Sequence, residues 1–269
     1  MKELEFPEGV LPLDFLASSI EKNRYAEEIK GIPGLIDYGF DYKSRSDCSM
    51  TFFLSHRYGH FDYQLMVGEL NALLDSEPFF YITRNTLPSR MLKITVDSAY
   101  EPERIEGGNF ANLEVSVNVS GLPFWRTKYT TQDIESSGYS AIAEKYGMAD
   151  GIHTDYQKYR FNTNTFTVWN GGNVTVDPRN MQLDIRVWNS TSSGNATIEN
   201  LTTGDKFVMY REHSKSFINL FGTKILLGST NWLRESNRKF ITLAPGENKI
   251  KISNTTFTDV TFDFPFYYK

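Results

Sequence analysis

This sequence has little of what disulfide-rich secreted proteins and membrane proteins depend on. Cys48 is the one cysteine in 269 residues, so no disulfide can form within a chain. No stretch approaches the roughly 20 consecutive apolar residues that a membrane-spanning helix needs. Residues 1–23 are acidic and are interrupted by Pro7, Pro12 and Asp14, unlike the basic start and apolar run of a signal peptide. We therefore expect a protein that folds in a reducing cytoplasm and does not contact a membrane.

The sequence also lacks the linear motifs of the common enzyme classes: GxSxG, a Walker loop, GxGxxG and HExxH. His56 and His60 have the i,i+4 spacing of two metal ligands, but Gly59 between them and the absence of a suitably placed Glu or Cys favour a structured loop. Cys48 lies in a run that favours a half-buried strand thiol over a nucleophile. We expect a protein that is not an enzyme, with no catalytic, cofactor-binding or metal-binding residues.

Net charge is −5 and is unevenly distributed along the chain. Residues 1–130 carry 13 Lys and Arg against 19 Asp and Glu, whereas residues 131–269 carry 15 against 14. An acidic surface gains no free energy from releasing the counterions of DNA phosphates. The composition therefore disfavours a nucleic-acid-binding protein.

Alternating apolar and polar residues predict a chain made mainly of β-strands. In residues 113–119 every odd position is aliphatic and every even position is polar, as in a strand with one buried face. Similar strands are expected at 91–96, 181–188, 206–210 and 249–253, with turns at 170–173, 202–205 and 244–247. Turns about ten residues apart are typical of β-sandwiches.

One helix is expected in the first half, over residues 63–74, where Met66, Leu70, Leu73 and Leu74 share a face. Residues 140–146 could form another short helix, but their flanks are polar and contain glycine. Alternation is lost over residues 126 to about 160, which are polar and contain breaks at Gly138 and Gly151. The sequence thus predicts two β-sandwich-type domains, residues 1–130 with one short α-helix and residues 161–269, joined by a linker at 131–160.

Aromatic residues make up 14% of the chain and suggest an alternative function. Trp169, Trp188 and Trp232 all lie in the second half, and exposed aromatics on β-sandwiches can stack on sugars. Under this reading the protein is a carbohydrate-binding adhesin that acts through its C-terminal sandwich. The competing reading places these rings in a sandwich core.

The C-terminal residues alternate between Phe262, Phe264 and Phe266. They are predicted to form either an edge strand ended by Pro265 or a strand that docks on the first domain or on a neighbouring chain. In every case these rings must be covered.

The order of these elements resembles the distal tail (Dit) family of long-tailed phages. The resemblance spans nearly the whole chain and is carried by a Gly-rich turn and basic strand at 31–46, the helix at 63–74, the strand at 79–82, GLPFW at 121–125, NGGNVTVDP at 170–178, a hairpin at 197–207 and FITLAPGENKIKIS at 240–253.

The resemblance implies a structural function in the virion, at the phage tail tip or baseplate, after assembly in the host cytoplasm. The N-terminal domain would form a homohexameric ring that continues the tail tube, and DNA would pass through its lumen without specific binding. The C-terminal domain would be a galectin-like β-sandwich that holds receptor-binding proteins. Expected partners are the tail tube protein and the tail-associated hub or lysin protein. The family carries no catalysis and no cofactor.

Overall fold

The computed structural model describes residues 4–105 and 108–269 and confirms a mainly β protein. The chain divides into two compact units. The first unit runs to Arg84 and resumes over Leu92–Pro123; the second holds Asn85–Met91 and Phe124–Lys269. In the described part of the chain no helix is long and apolar enough to cross a membrane.

The first unit contains one antiparallel sheet, one helix and a separate two-stranded hairpin. Its elements are β1 Val10–Leu16, β2 Lys22–Glu28, β3 Leu35–Tyr42, β4 Cys48–Ser55, α1 His60–Leu74, β5 Phe80–Arg84, the second half of β6 (Leu87–Thr95, whose residues up to Met91 belong to the second unit), β7 Glu103–Arg104 and β8 Phe110–Val119. Strand β4 lies between β1 and β8, and β8 also pairs with β7 and with the end of β6. Strands β2 and β3 pair with each other.

The regular spacing of apolar residues in the sequence explains which side chains form the core of this unit. Along β8, Leu113, Val115 and Val117 are buried while the intervening side chains are exposed, which confirms the predicted strand. Helix α1 includes the predicted residues 63–74 and begins three residues earlier, at His60. Its buried side chains include Met66 and Leu70, as the 3.6-residue period requires.

The second unit is built mainly from two antiparallel sheets. Its elements are β9 Trp125–Thr127, α2 Thr131–Tyr146, β10 Arg160–Phe161, β11 Thr165–Asn170, β12 Asp184–Ser192, β13 Ala196–Asn200, β14 Asp205–Met209, β15 His213–Phe221, β16 Lys224–Leu227, β17 Thr230–Asn231, a 3₁₀ turn Leu233–Glu235, β18 Gly246–Ser253, β19 Asp259–Asp263 and β20 Tyr267–Tyr268. The six-stranded sheet has the order β10-β19-β12-β15-β16-β17, and the four-stranded sheet has the order β11-β18-β13-β14.

These two sheets form the predicted sandwich. Side chains from both sheets, among them Val187 and Ile218 from one and Ile198 and Ile252 from the other, line the same small cavity. Buried polar side chains fix the turns between strands: Asn200 donates from its side-chain nitrogen to the Asn248 side-chain oxygen at 3.0 Å. Both amides are fully buried and find partners, as buried polar groups must.

Residues 131–160, predicted as a linker, contain helix α2. The helix begins where the Thr130 backbone N–H donates to the Asp133 carboxylate at 2.8 Å, and its backbone leaves helical geometry at Gly138. Only Thr131, Ile134 and Ile142 are buried in it. Because so little of the helix is apolar, its sequence has the polar composition of a linker.

The C-terminal residues form two strands, and one of the two predictions for them holds in part: the last strand, β20, pairs with β9 and lies at the edge of its sheet, whereas β19 is internal. Strand β19 lies between β10 and β12, so its backbone is paired on both sides. Pro265 follows the strand, and the segment continues into the core of the second unit, where Phe264 and Phe266 are buried. Thr131 holds this segment, because its backbone N–H donates to the Phe264 carbonyl at 3.0 Å.

Candidate functional site

The two histidines do not form a metal site of the kind that their spacing suggests. His60 is the first residue of α1, whereas His56 precedes the helix and is buried, so the two are not ligands from one helix face. The His60 ring Nδ1 lies 3.2 Å from the Arg104 guanidinium. Within residues 4–105 and 108–269, no group of three or more His, Cys, Asp or Glu side chains is placed to hold a metal ion.

Cys48 is buried at the start of β4, and its Sγ lies 3.8 Å from the Ser46 carbonyl oxygen. A thiol shielded in this way reacts slowly, since it must become exposed as the thiolate before it can attack a disulfide reagent. We expect a bulky aromatic disulfide reagent to modify native Cys48 at least about 100-fold more slowly than the urea-unfolded chain. Absorbance of the released thiolate measures both rates, and equal rates would show that the strand does not protect the thiol.

The three tryptophans of the second half lie in different environments. Trp169 is half-buried, with Tyr156 stacked parallel to it at 5.7 Å between ring centroids. Trp232 is half-buried beneath the Arg211 guanidinium, 4.1 Å from the ring centroid. Trp188 is 41% exposed on the six-stranded sheet. The sequence could not distinguish these rings, because the alternation that places Trp188 on one face does not say which face is covered.

The most unusual surface is the β2–β3 hairpin, here called the arm and defined as residues 22–42. Within the described residues its two strands pair with each other and with no other strand. All seven residues of β2 are exposed. An isolated two-stranded hairpin is only marginally stable in water. The arm therefore depends on its own side-chain contacts or on a partner.

One face of the arm is organised around Phe40. The Lys22 ammonium lies 4.5 Å and the Arg24 guanidinium 5.9 Å from the centroid of this ring, and Tyr42 packs edge-on against it at 5.4 Å. Arg24 also forms an ion pair with Asp37. The contacts of Lys22 and Arg24 cross between the two strands, whereas Phe40 and Tyr42 are neighbours on β3. Cross-strand contacts stabilise a two-stranded ribbon.

A β-bulge bends the arm near its middle. Tyr25 pairs with Gly39 and Ala26 with Asp37, which leaves Tyr38 as the extra residue. Gly39 has φ +103°, a conformation that favours glycine. Its N–H donates to Asp37 at 2.8 Å. This hydrogen bond and then the Arg24 guanidinium hold the pKa of Asp37 below its usual range.

The arm exposes more apolar surface than its own contacts use. Leu35 is 69% and Tyr38 62% exposed, and the tip between the strands adds Ile29 and Ile32. Large exposed apolar side chains that lie close together are typical of interaction surfaces. Sequence reasoning treated residues 31–46 as a turn and a basic strand, and it missed the arm because β2 has no buried face to impose alternation.

The same unit exposes a second apolar surface at the start of α1, here called the helix patch and formed by Tyr58, Phe61 and Leu65. Phe61 and Leu65 are one helical turn apart, on the side opposite the buried Met66 and Leu70. Tyr58 and Phe61 are each 85% exposed. A head-to-tail contact between identical chains joins two different surfaces of each chain.

Asp62 fixes the backbone that carries this patch. Its carboxylate accepts the backbone N–H of Arg57 at 2.9 Å and that of Tyr58 at 3.2 Å, in the first turn of α1. The hydrogen bond from Tyr58, followed by that from Arg57, lowers the pKa of Asp62. A carboxylate in this position also interacts favourably with the helix dipole.

We expect Asp62→Asn to destabilise the first unit at pH 7. A lowered pKa in the folded state means that the ionised carboxylate stabilises the fold above its ordinary value of 3.8, and that this contribution is lost as the pH falls through the folded pKa. Urea denaturation at pH 7 and at successively lower pH checks this. The difference between wild type and variant should shrink below pH 3.8; a constant difference would contradict the role of the charge.

Comparisons with known proteins bear on the fold of the whole chain. No family model and no protein of curated function matches the sequence. Among solved structures, the Dit protein of phage SPP1 is similar with a TM-score of 0.65 and 15% sequence identity, over 96% of this chain and 94% of that one. It is described as a paradigm of the hub adsorption apparatus in phages that infect Gram-positive bacteria.

Two structures of the phage p2 baseplate in its activated conformation, with calcium and with strontium, also match over 96% of this chain and 90% of theirs, at 12% identity and TM-scores of 0.39 and 0.37. The SPP1 structure establishes that the chain has a Dit-like fold along nearly its full length, which confirms the resemblance found in the sequence.

Proposed function

We propose that this protein is a distal tail hub: a structural ring at the tip of a phage tail that joins the tail tube to the host-adsorption apparatus. The observation that carries the proposal is the fold shared with a hub protein over 96% of this chain. A fold alone does not fix a function. The exposed arm supplies independent support, because a chain that assembles with copies of itself needs surface of this kind.

The proposed ring is a homohexamer formed by the first domain. A closed ring uses head-to-tail contacts, in which two different surfaces of each chain meet. The arm and the helix patch are two such surfaces, both in the first unit. We propose that the arm of each chain binds the first unit of its neighbour, which would cover Leu35 and Tyr38.

The remaining partners follow from the hub role. The ring would contact the tail tube protein on one side and the tail-associated hub or lysin protein on the other, and residues 161–269 would form the platform for receptor-binding proteins. DNA would pass through the lumen, and the excess of 19 acidic over 13 basic residues in 1–130 would keep it from adhering. The proposal assigns the chain no catalytic role and no cofactor.

In this proposal residues 1–130 form the ring, and residues 131–160 connect it to the platform. The protein would be assembled in the host cytoplasm and located in the virion.

Electron microscopy of the purified protein tests the ring: six-membered rings with a central opening are expected. A strict monomer at high concentration would contradict a ring that forms unaided.

Labelling of intact particles tests the location separately. A gold-conjugated antibody against this protein should bind at the tail tip. Binding along the tail shaft or at the capsid would overturn the hub assignment.

A further inference from the structure

The outer face of the six-stranded sheet carries an exposed tryptophan beside hydrogen-bonding side chains. We call this surface the Trp188 face; it is formed by Trp188, Phe217, Asp259 and Arg160. Trp188 on β12 lies directly opposite Asp259 on β19, and the Phe217 ring on β15 lies 4.4 Å from the Trp188 ring between centroids. With Arg160 on β10, four neighbouring strands contribute to it.

Strand β12 is distorted at this point. Its register against β15 shifts between Val187 and Ser190, and Asn189, next to Trp188, has φ +53°. An asparagine tolerates this conformation better than most residues. A bulge within a strand redirects neighbouring side chains and is common beside functional sites. The backbone is thus irregular where the exposed ring is presented.

The groups around the ring are polar and held in place. The Arg160 guanidinium donates to the Asp259 carboxylate at 2.9 Å, and the Asn189 side-chain nitrogen donates to the Thr258 hydroxyl at 3.1 Å. The Arg160 side chain is 55% exposed, so its other N–H groups face solvent. The surface therefore combines one flat apolar ring with oriented hydrogen-bond donors and acceptors.

Trp188 is also the one tryptophan of the described chain whose ring is substantially open. Trp125 is buried, Trp169 is covered by the parallel ring of Tyr156, and Trp232 is covered by Arg211. Part of the apolar surface of Trp188 therefore remains in contact with water. A ligand that covers the ring would bury this surface and gain hydrophobic free energy.

We propose that the Trp188 face binds a saccharide. One face of a pyranose ring consists of C–H groups and would stack on the indole, while the hydroxyls at its rim both donate and accept hydrogen bonds. Asp259 would accept from such hydroxyls and Arg160 would donate to them. An apolar protein segment fits less well, because the ion pair of Arg160 and Asp259 beside Trp188 would lose its solvation without a polar group to replace water.

This inference does not rest on the proposed hub function. If the chain forms a ring but binds no saccharide, only the hub proposal holds. If it binds a saccharide but forms no ring, only the present proposal holds. Absence of rings in electron micrographs therefore does not contradict saccharide binding, and absence of saccharide binding does not contradict the ring.

The test is binding of the full chain to an array of immobilised bacterial and plant polysaccharides of known composition. Wild-type protein should be retained by at least one polysaccharide. Trp188→Ala should weaken that binding about tenfold or more, since stacking on the ring is lost. Trp232→Ala, which removes a ring already covered by Arg211, is the matched control and should bind as wild type does.

A second variant distinguishes a loss of binding from a loss of folding. Arg160→Gln changes an exposed side chain and should weaken binding to the same polysaccharide several-fold while leaving the urea midpoint unchanged. No retention of wild-type protein by any polysaccharide would overturn the proposal. Retention that persists unchanged in Trp188→Ala would overturn it as well, since the binding would then lie elsewhere.

Discussion

Replacing residues 24–40 by a short Gly-Ser turn is expected to convert assembled rings into monomers without unfolding the chain. The replacement removes the arm and keeps its base, where the Lys43 backbone N–H donates to the Glu21 carbonyl at 2.9 Å. Because β2 and β3 pair only with each other among the strands of the described chain, their loss leaves no other strand unpaired. Light scattering coupled to gel filtration measures the mass.

Point variants should locate the contact within the arm. Leu35→Asp and Tyr38→Asp each place a charge where the proposal buries an apolar side chain against the neighbour. Buried anchors of this kind contribute at least about 2 kcal/mol each, so each variant should raise the dissociation constant of the ring about 30-fold or more. Electron micrographs at fixed concentration should show a matching loss of rings.

The matched control for these variants is Tyr210→Asp. Tyr210 is also exposed but belongs to the second unit, which the proposal does not place in the ring contact. It should leave the mass unchanged. Equal loss of assembly in all three variants would point to a general effect of added negative charge and would contradict the assignment of the contact to the arm.

What could be predicted from the sequence is what the chain buries within itself. Residues 113–117 alternate because β8 has one covered face, and residues 63–74 follow a 3.6-residue period because α1 covers one of its own. The first turn of α1 was missed, since its start depends on Asp62 accepting the Arg57 and Tyr58 N–H groups across a loop. Such a contact leaves no period in the sequence.

The candidate sites could not be predicted for the same reason. The arm has no buried face in a single chain, so Leu35 and Tyr38 follow no periodic pattern that marks them as contacts. Trp188 was recognised as one of three candidates, but its exposure depends on which face of β12 is covered and on Tyr156 and Arg211 covering the other two rings. Only the second part of helix α2, residues 140–146, could be suggested from the sequence, because the composition of the helix is polar.

The largest stability effect should come from Phe264→Ala. The Phe264 side chain is fully buried and meets Tyr159 edge-to-face at 6.0 Å between ring centroids. Its backbone is held on both sides by Thr131, which donates its N–H to the Phe264 carbonyl and accepts the Phe264 N–H on its hydroxyl at 3.2 Å. This framework keeps the site from collapsing around the missing ring, so the cavity should persist and cost about 3–5 kcal/mol.

Urea denaturation followed by tryptophan fluorescence measures this loss in the second unit, which holds all four tryptophans. The matched control is Phe221→Ala, the same change at a ring that is 49% exposed, and it should alter the free energy of unfolding by no more than about 0.5–1 kcal/mol. If both variants lost equally little, the segment after β19 would not be part of the core. The aromatic C-terminal residues would then need a covering surface outside this unit, as one of the predictions from sequence supposed.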